Sequence, residues 1–103
     1  MMLATRVIPV TLTDGRCAVK PRAFGVRRPA GSVLSAARIY EARRADEIVL
    51  VDLDARVQGR LIDVALVWQV AESLFTPLAV GGGVRGTEDA RALLAAGADK
   101  IVM

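Results

Sequence analysis

The sequence predicts an α/β fold built on parallel strands, and three observations point to it. Short apolar runs alternate with longer stretches whose apolar residues recur at helical spacing. One run, Ile48 to Leu53, is continuous apart from Asp52, as expected of a strand covered on both faces. Finally, Ala37 to Val49 repeats as Ala90 to Val102 at an offset of 53, with seven of thirteen positions identical, and each copy reads as the end of a helix running into a strand.

The elements follow in order. Arg6 to Leu12 reads as a first strand, with Pro9 an awkward member because proline cannot donate to a ladder. Asp14-Gly15 marks a turn. Residues 16–31, rich in Arg, Pro and Gly, read as a long loop, and such loops in compact domains are commonly functional. Ser32 to Arg44 carries Val33, Ala36, Ala37 and Tyr40 at helical spacing behind a Ser32 N-cap. Leu61 to Leu74 is a second helix, and Leu78 to Val80 a third strand ending in Gly81-Gly82-Gly83. Thr87 is expected to cap a third helix, with Glu88 and Asp89 in the first turn, where the helix dipole favours anions. That helix stops at Gly97, and Lys100 to Met103 begins a fourth strand.

The order βαβαβαβ requires right-handed crossovers in a parallel sheet. The repeat suggests a (βα)₂ unit used twice, and a barrel of eight βα steps takes about 250 residues. The 103 residues are therefore expected to form one incomplete domain, 1–103: a partial (βα)8 barrel of about three and a half βα units.

Composition excludes several function classes. Hydrophobic residues make up 53% and charged residues 24%, which excludes a disordered chain. With no His there is no His general base, Ser-His-Asp triad or His-ligated metal. A single cysteine, Cys17, excludes an internal disulfide and a Cys-based zinc site. No metal and no cofactor is expected. Twelve of the 14 basic residues are Arg, but they are scattered without a basic stripe or aromatic partners, so no nucleic acid partner is expected. No apolar run approaches the ~20 residues of a membrane span, and Met1 to Val10 lacks a signal-peptide pattern; the expectation is a cytoplasmic protein with no membrane association.

In parallel βα folds the ligand site lies at the carboxyl ends of the strands. Those ends are Leu12-Thr13-Asp14, Asp52-Leu53-Asp54 and Gly81-Gly82-Gly83. The triple glycine lets backbone approach a ligand closely and offers free N–H groups to phosphate oxygens; it is equally compatible with a tight βα turn. It fits neither the Rossmann spacing nor a Walker loop. Asp52 and Asp54 share one face of their strand, so they suit acid–base work or Mg²⁺, or simply organise their loop by accepting backbone N–H groups. Lys20, in the long loop, is placed to contact a substrate phosphate or to be solvated, and Cys17 and Trp68 read as core or loop residues.

Several segments together carry a family resemblance covering nearly the whole chain: Arg6 to Val10, Asp14 to Arg16, Ala45 to Asp54, Pro77 to Arg85, Glu88 to Arg91 and Ala96 to Lys100. The sequence resembles the first two-fifths of the cyclase subunit of imidazole glycerol phosphate synthase. The resemblance implies a TIM barrel that takes ammonia from a glutamine amidotransferase (glutaminase) subunit docked at the barrel bottom. It implies a lyase/cyclisation reaction on a sugar-phosphate-bearing substrate of histidine biosynthesis. Arg6, Glu47 and Lys100 match three members of the family's charged ammonia entrance, Gly82 and Gly83 match its phosphate turn, and Lys20 its first-loop lysine. The register that turns Arg6, Glu47 and Lys100 inward also turns Ile8, Val10, Leu12, Val49, Val51, Leu53 and Val102 inward, and puts Asp52 on the opposite face, in a structural role.

The sequence departs from the family where its first catalytic Asp belongs, since Leu12 fills that slot. Asp14 is a weak substitute that better matches the family's Asp-Gly turn. No confident catalytic residue remains, and the chain alone is expected to be inactive, as a truncated member would be. An apolar residue at Leu12 is similar to a paralogous branch linked to glutaminase-coupled amidation of sugars in surface-polysaccharide synthesis, and the substrate is expected to be a phosphorylated or nucleotide-linked sugar. Two other classes stay open: a non-catalytic half-barrel or gene remnant that self-associates through open strand edges, and a small doubly wound nucleotide-binding domain.

Overall fold

The computed structural model describes residues 6–21 and 27–103. In chain order the elements are β1 (Val10–Thr13), β2 (Val19–Pro21), β3 (Arg27–Pro29), α1 (Val33–Ala42), β4 (Ile48–Asp52), α2 (Val64–Ser73), β5 (Leu78–Gly81), α3 (Thr87–Ala95) and β6 (Lys100–Val102). Four strands form one parallel sheet in the order β1-β4-β5-β6, while β2 and β3 pair separately as an antiparallel hairpin. The order runs one way across the sheet with no reversal. A doubly wound domain reverses at its switch point, so that expectation is set aside in favour of the wall of a barrel.

The two faces of the sheet differ. Thr11, Thr13, Ile48, Leu50, Leu78 and Val80 are buried beneath the helices, which contribute Val33 and Ala37 from α1, Val67 and Val70 from α2 and Leu93 from α3. Each large apolar side chain so covered stabilises the fold by about 1.5–3 kcal/mol before conformational entropy is charged against it. The alternate residues form the other face, which is open: Val10 is 50% exposed and Val102 40%. The register aligns Leu12 with Val51, and Val49 with Ala79, which in turn aligns with Lys100.

Local structure corrects several sequence expectations. The first strand begins at Val10, not Arg6. Pro9 has no N–H to donate, although its carbonyl accepts from Val49 N–H at 3.0 Å. The presumed long loop contains the β2–β3 hairpin, whose three-residue strands are too short to show an alternating pattern. Helix α2 begins at Val64 because Asp63 caps it, accepting from Ala65 N–H at 2.9 Å. Ser32 caps α1 as expected, but Thr87 is the first helical residue of α3 and Gly86 its N-cap, with no side-chain cap bond. Trp68 is no core residue: it is 55% exposed on α2.

Candidate functional site

The carboxyl ends of β4, β5 and β6 open into a groove of about 670 Å³, lined by Val51, Leu53, Gly82, Gly83, Arg85 and Val102 among others. Strand β5 ends at Gly81, and the chain turns through Gly82 (φ +135°) and Gly83 (φ +72°). Both positions exclude a side chain. A Cβ on Gly82 would lie 2.8 Å from Asp52 Cβ, and one on Gly83 would overlap the Arg60 carbonyl oxygen. The turn is therefore bare backbone packed onto the segment that follows β4, an arrangement suited to close approach of an anion.

Asp52 organises that segment. Its side chain is fully buried. Its Oδ1 accepts from the N–H groups of Asp54 (2.9 Å) and Ala55 (3.1 Å), and its Oδ2 accepts from Arg60 Nη1 at 2.6 Å. Arg60 Nη2 reaches across to donate to the Asp14 carbonyl at 3.2 Å, and Nε donates to Gln58 Oε1 at 2.7 Å. Hydrogen bonding to Asp52 leads the causes that hold the Arg60 guanidinium above its already high ordinary pKa. Asp52 thus ties loop to loop, the structural role the register implied. Asp54, beyond the strand, pairs with Arg27 Nη1 at 2.5 Å and fastens the hairpin to this rim.

The other candidates fall in different places. Asp14 is occupied as a turn former: its Oδ1 accepts from Arg16 N–H (2.9 Å) and Cys17 N–H (3.1 Å), and these bonds, Arg16 first, hold its carboxyl below the ordinary 3.8. Leu12 is half-buried on the open face of β1. Lys20 is exposed on β2 and lines a separate recess with Leu12 and Tyr40, away from Gly82 and Gly83. At the amino ends of the strands, Glu47 is 93% buried, and Lys100 Nζ stands 3.1 Å from its Oε1. The ammonium is off the hydrogen-bonding direction of that oxygen, so the attraction is coulombic. Lys100 opens β6 and Glu47 immediately precedes β4, with β5 between the two strands. Arg6 does not join them: it is exposed and makes no ion pair among the described residues. No three His, Cys, Asp or Glu among the described residues are grouped to hold a metal, and no described helix is long and apolar enough to cross a membrane.

Sequence reasoning missed Arg60 and Arg27. The acidic and loop partners that give them their roles, Asp54, Asp52 and the Asp14 carbonyl, lie 8 to 46 residues away, and no local pattern marks an arginine for such a role.

A one-way parallel βα wall with a glycine turn at its carboxyl rim defines a section of a (βα)₈-barrel protein. The family model described as histidine biosynthesis protein matches residues 6–103; the chain belongs to that family, whose fold is the TIM barrel. It is 50% identical over 100 residues to the imidazole glycerol phosphate synthase subunit HisF of Dictyoglomus thermophilum. It is 49% identical to the same subunit of Dictyoglomus turgidum and 46% identical to that of Beutenbergia cavernae. These alignments cover 97–98% of this chain, and the chain spans 40% of the length of each of those relatives.

Proposed function

We propose that this chain supplies the first strands of an ammonia-using cyclase barrel of the imidazole glycerol phosphate synthase type. Gly82 and Gly83 bind the substrate phosphate, and Lys20 supports the substrate from the β2 hairpin. A glutamine amidotransferase subunit delivers ammonia at the opposite end, past Arg6, Glu47 and Lys100. The observation that carries this reading is the placement of two specialised features at opposite ends of one sheet. A side-chain-free turn bounds the groove at the carboxyl rim, and the buried Glu47 meets Lys100 at the amino rim. The relatives' printed identity as synthase subunits supports the same reading.

Leu12 can neither accept nor donate a proton, so the 103 residues alone do not turn over. The test is an assay of cyclised product with ammonium salt as nitrogen donor. No product is expected, and clear turnover by this chain would overturn the assignment of Leu12 to the catalytic slot. Binding of a glutaminase subunit, followed calorimetrically, should weaken in Glu47→Ala and Lys100→Ala.

Two further readings each rest on one observation. The aliphatic Leu12 favours the sugar-amidating branch, tested by preferential binding of a nucleotide-linked sugar over a plain sugar phosphate. The open edges of the parallel sheet at β1 and β6 favour pairing of two copies, tested by sedimentation: a monomer at high concentration would dismiss it.

A further inference from the structure

We propose that Asp52 and Arg60 act as a positioning pair for the glycine turn, fixing Gly82 and Gly83 in the conformation that receives an anionic ligand. The inference rests on the reading of Gly82 and Gly83 as a phosphate turn and adds two residues to it. Neither touches the ligand; each acts through the backbone it holds.

Three contacts connect the pair to the turn. The carbonyl of Arg60 occupies the space a Gly83 side chain would need, so the position of residue 60 sets how deep the turn sits. Two residues on, Ile62 N–H donates to the Gly82 carbonyl at 2.9 Å, orienting the peptide plane between Gly82 and Gly83. Asp52 itself backs Gly82 at contact distance. The segment around residue 60 is neither helix nor strand; within itself it is held by turn bonds, such as Arg60 N–H to the Ala55 carbonyl at 2.9 Å. Its side-chain tie to the strand ends is the Arg60 guanidinium, bonded to Asp52 at 2.6 Å and to the Asp14 carbonyl at 3.2 Å. Asp52 is in turn pinned by two backbone N–H groups on the end of a central strand. A strand end, a buried carboxylate and a two-pronged guanidinium together hold the loop segment, and that segment shapes the turn. Burying the Asp52 carboxylate is costly, and the half-buried Arg60 guanidinium offsets that cost while fixing the geometry of the turn.

The test is an NMR titration of the 103-residue chain with D-ribose 5-phosphate, following the Gly82 and Gly83 amides well below the melting temperature. Arg60→Gln is the main variant, because the Arg60 side chain is one-third exposed and its loss leaves the core intact. Asp52→Asn is the second variant. Arg60→Gln is expected to raise Kd on the order of tenfold, the size of effect typical of lost supporting interactions, with Arg60→Lys between it and wild type. The Ile62 amide should exchange faster in Arg60→Gln. Val67→Ala, a core truncation away from the turn, lowers the melting temperature but should leave Kd unchanged, which separates positioning from bulk stability. If wild type binds and Arg60→Gln binds equally well, the positioning inference falls and the phosphate reading stands. If wild type does not bind the probe, both fall together.

Discussion

Replacing Gly83 by alanine should be among the most damaging single-methyl additions available in this chain, and its size can be worked from two separate costs. At φ +72° an L-residue sits in the left-handed region, at about 1–2 kcal/mol. The added Cβ would also overlap the Arg60 carbonyl, a backbone atom that cannot rotate away; forced accommodation of this kind typically costs about 1–3 kcal/mol. Together the loss is about 2–5 kcal/mol, a large part of the ~5–15 kcal/mol that stabilises an ordinary domain. Gly31 is the internal control. Its φ is +89°, so alanine there meets the same conformational cost, but nothing lies within 4 Å of its Cβ. The reduced entropy of the unfolded chain is common to both substitutions and cancels in the comparison. Urea unfolding followed by circular dichroism reads the difference. With a slope of about 1–3 kcal/mol/M, the midpoint of Gly83→Ala should fall below that of Gly31→Ala by roughly 1 M. Equal midpoints would refute the contact between residues 60 and 83, and with it the close packing of the rim.

Three more outcomes are expected. Glu41 accepts from the N–H groups of Phe75 (2.6 Å) and Thr76 (2.8 Å) and from the Thr76 hydroxyl (2.9 Å). The Thr76 N–H leads in holding its carboxyl below the ordinary 4.5, against an opposing desolvation. A depressed folded value means this stabilisation is complete above pH 4.5 and is lost as pH falls through the lower folded value. Melting temperatures recorded down the acid limb should therefore fall less steeply in Glu41→Gln than in wild type, and parallel curves would contradict the assignment. Thr11 is buried with a hydroxyl that has no partner among the described residues, so the near-isosteric Thr11→Val should raise stability by about 1 kcal/mol in chemical denaturation. A double-mutant cycle on Glu47→Gln and Lys100→Met should give a coupling of about 0.5–1 kcal/mol, because Lys100 is largely solvated; a coupling of zero would mean the two groups do not meet.

The sequence alone determined the backbone plan. The helical spacing of Val33, Ala37 and Tyr40, the apolar run from Ile48 to Leu53 and the glycines after Leu78–Val80 report local preferences, and local preferences survive folding. The alternation along this segment likewise puts Asp52 and Glu47 on opposite faces, because side-chain direction in a strand is fixed by parity. The parts that failed depend on partners. The β2–β3 hairpin exists because Arg27, Arg28 and Pro29 find Pro21, Lys20 and Val19, and its Arg27 finds Asp54 across the rim. Helix α2 starts three residues late, at Val64, because Ile62 N–H is taken up by the Gly82 carbonyl and Asp63 supplies the cap.

The site divides the same way. Glycines at a strand end, and charges at strand starts, are visible in one dimension. Which of them meet is a property of the tertiary structure. It joined Glu47 to Lys100, left Arg6 in solvent, and placed Lys20 in a separate recess. It also brought in Arg60, because a guanidinium long enough to span two loops takes its role from what folding sets within its reach.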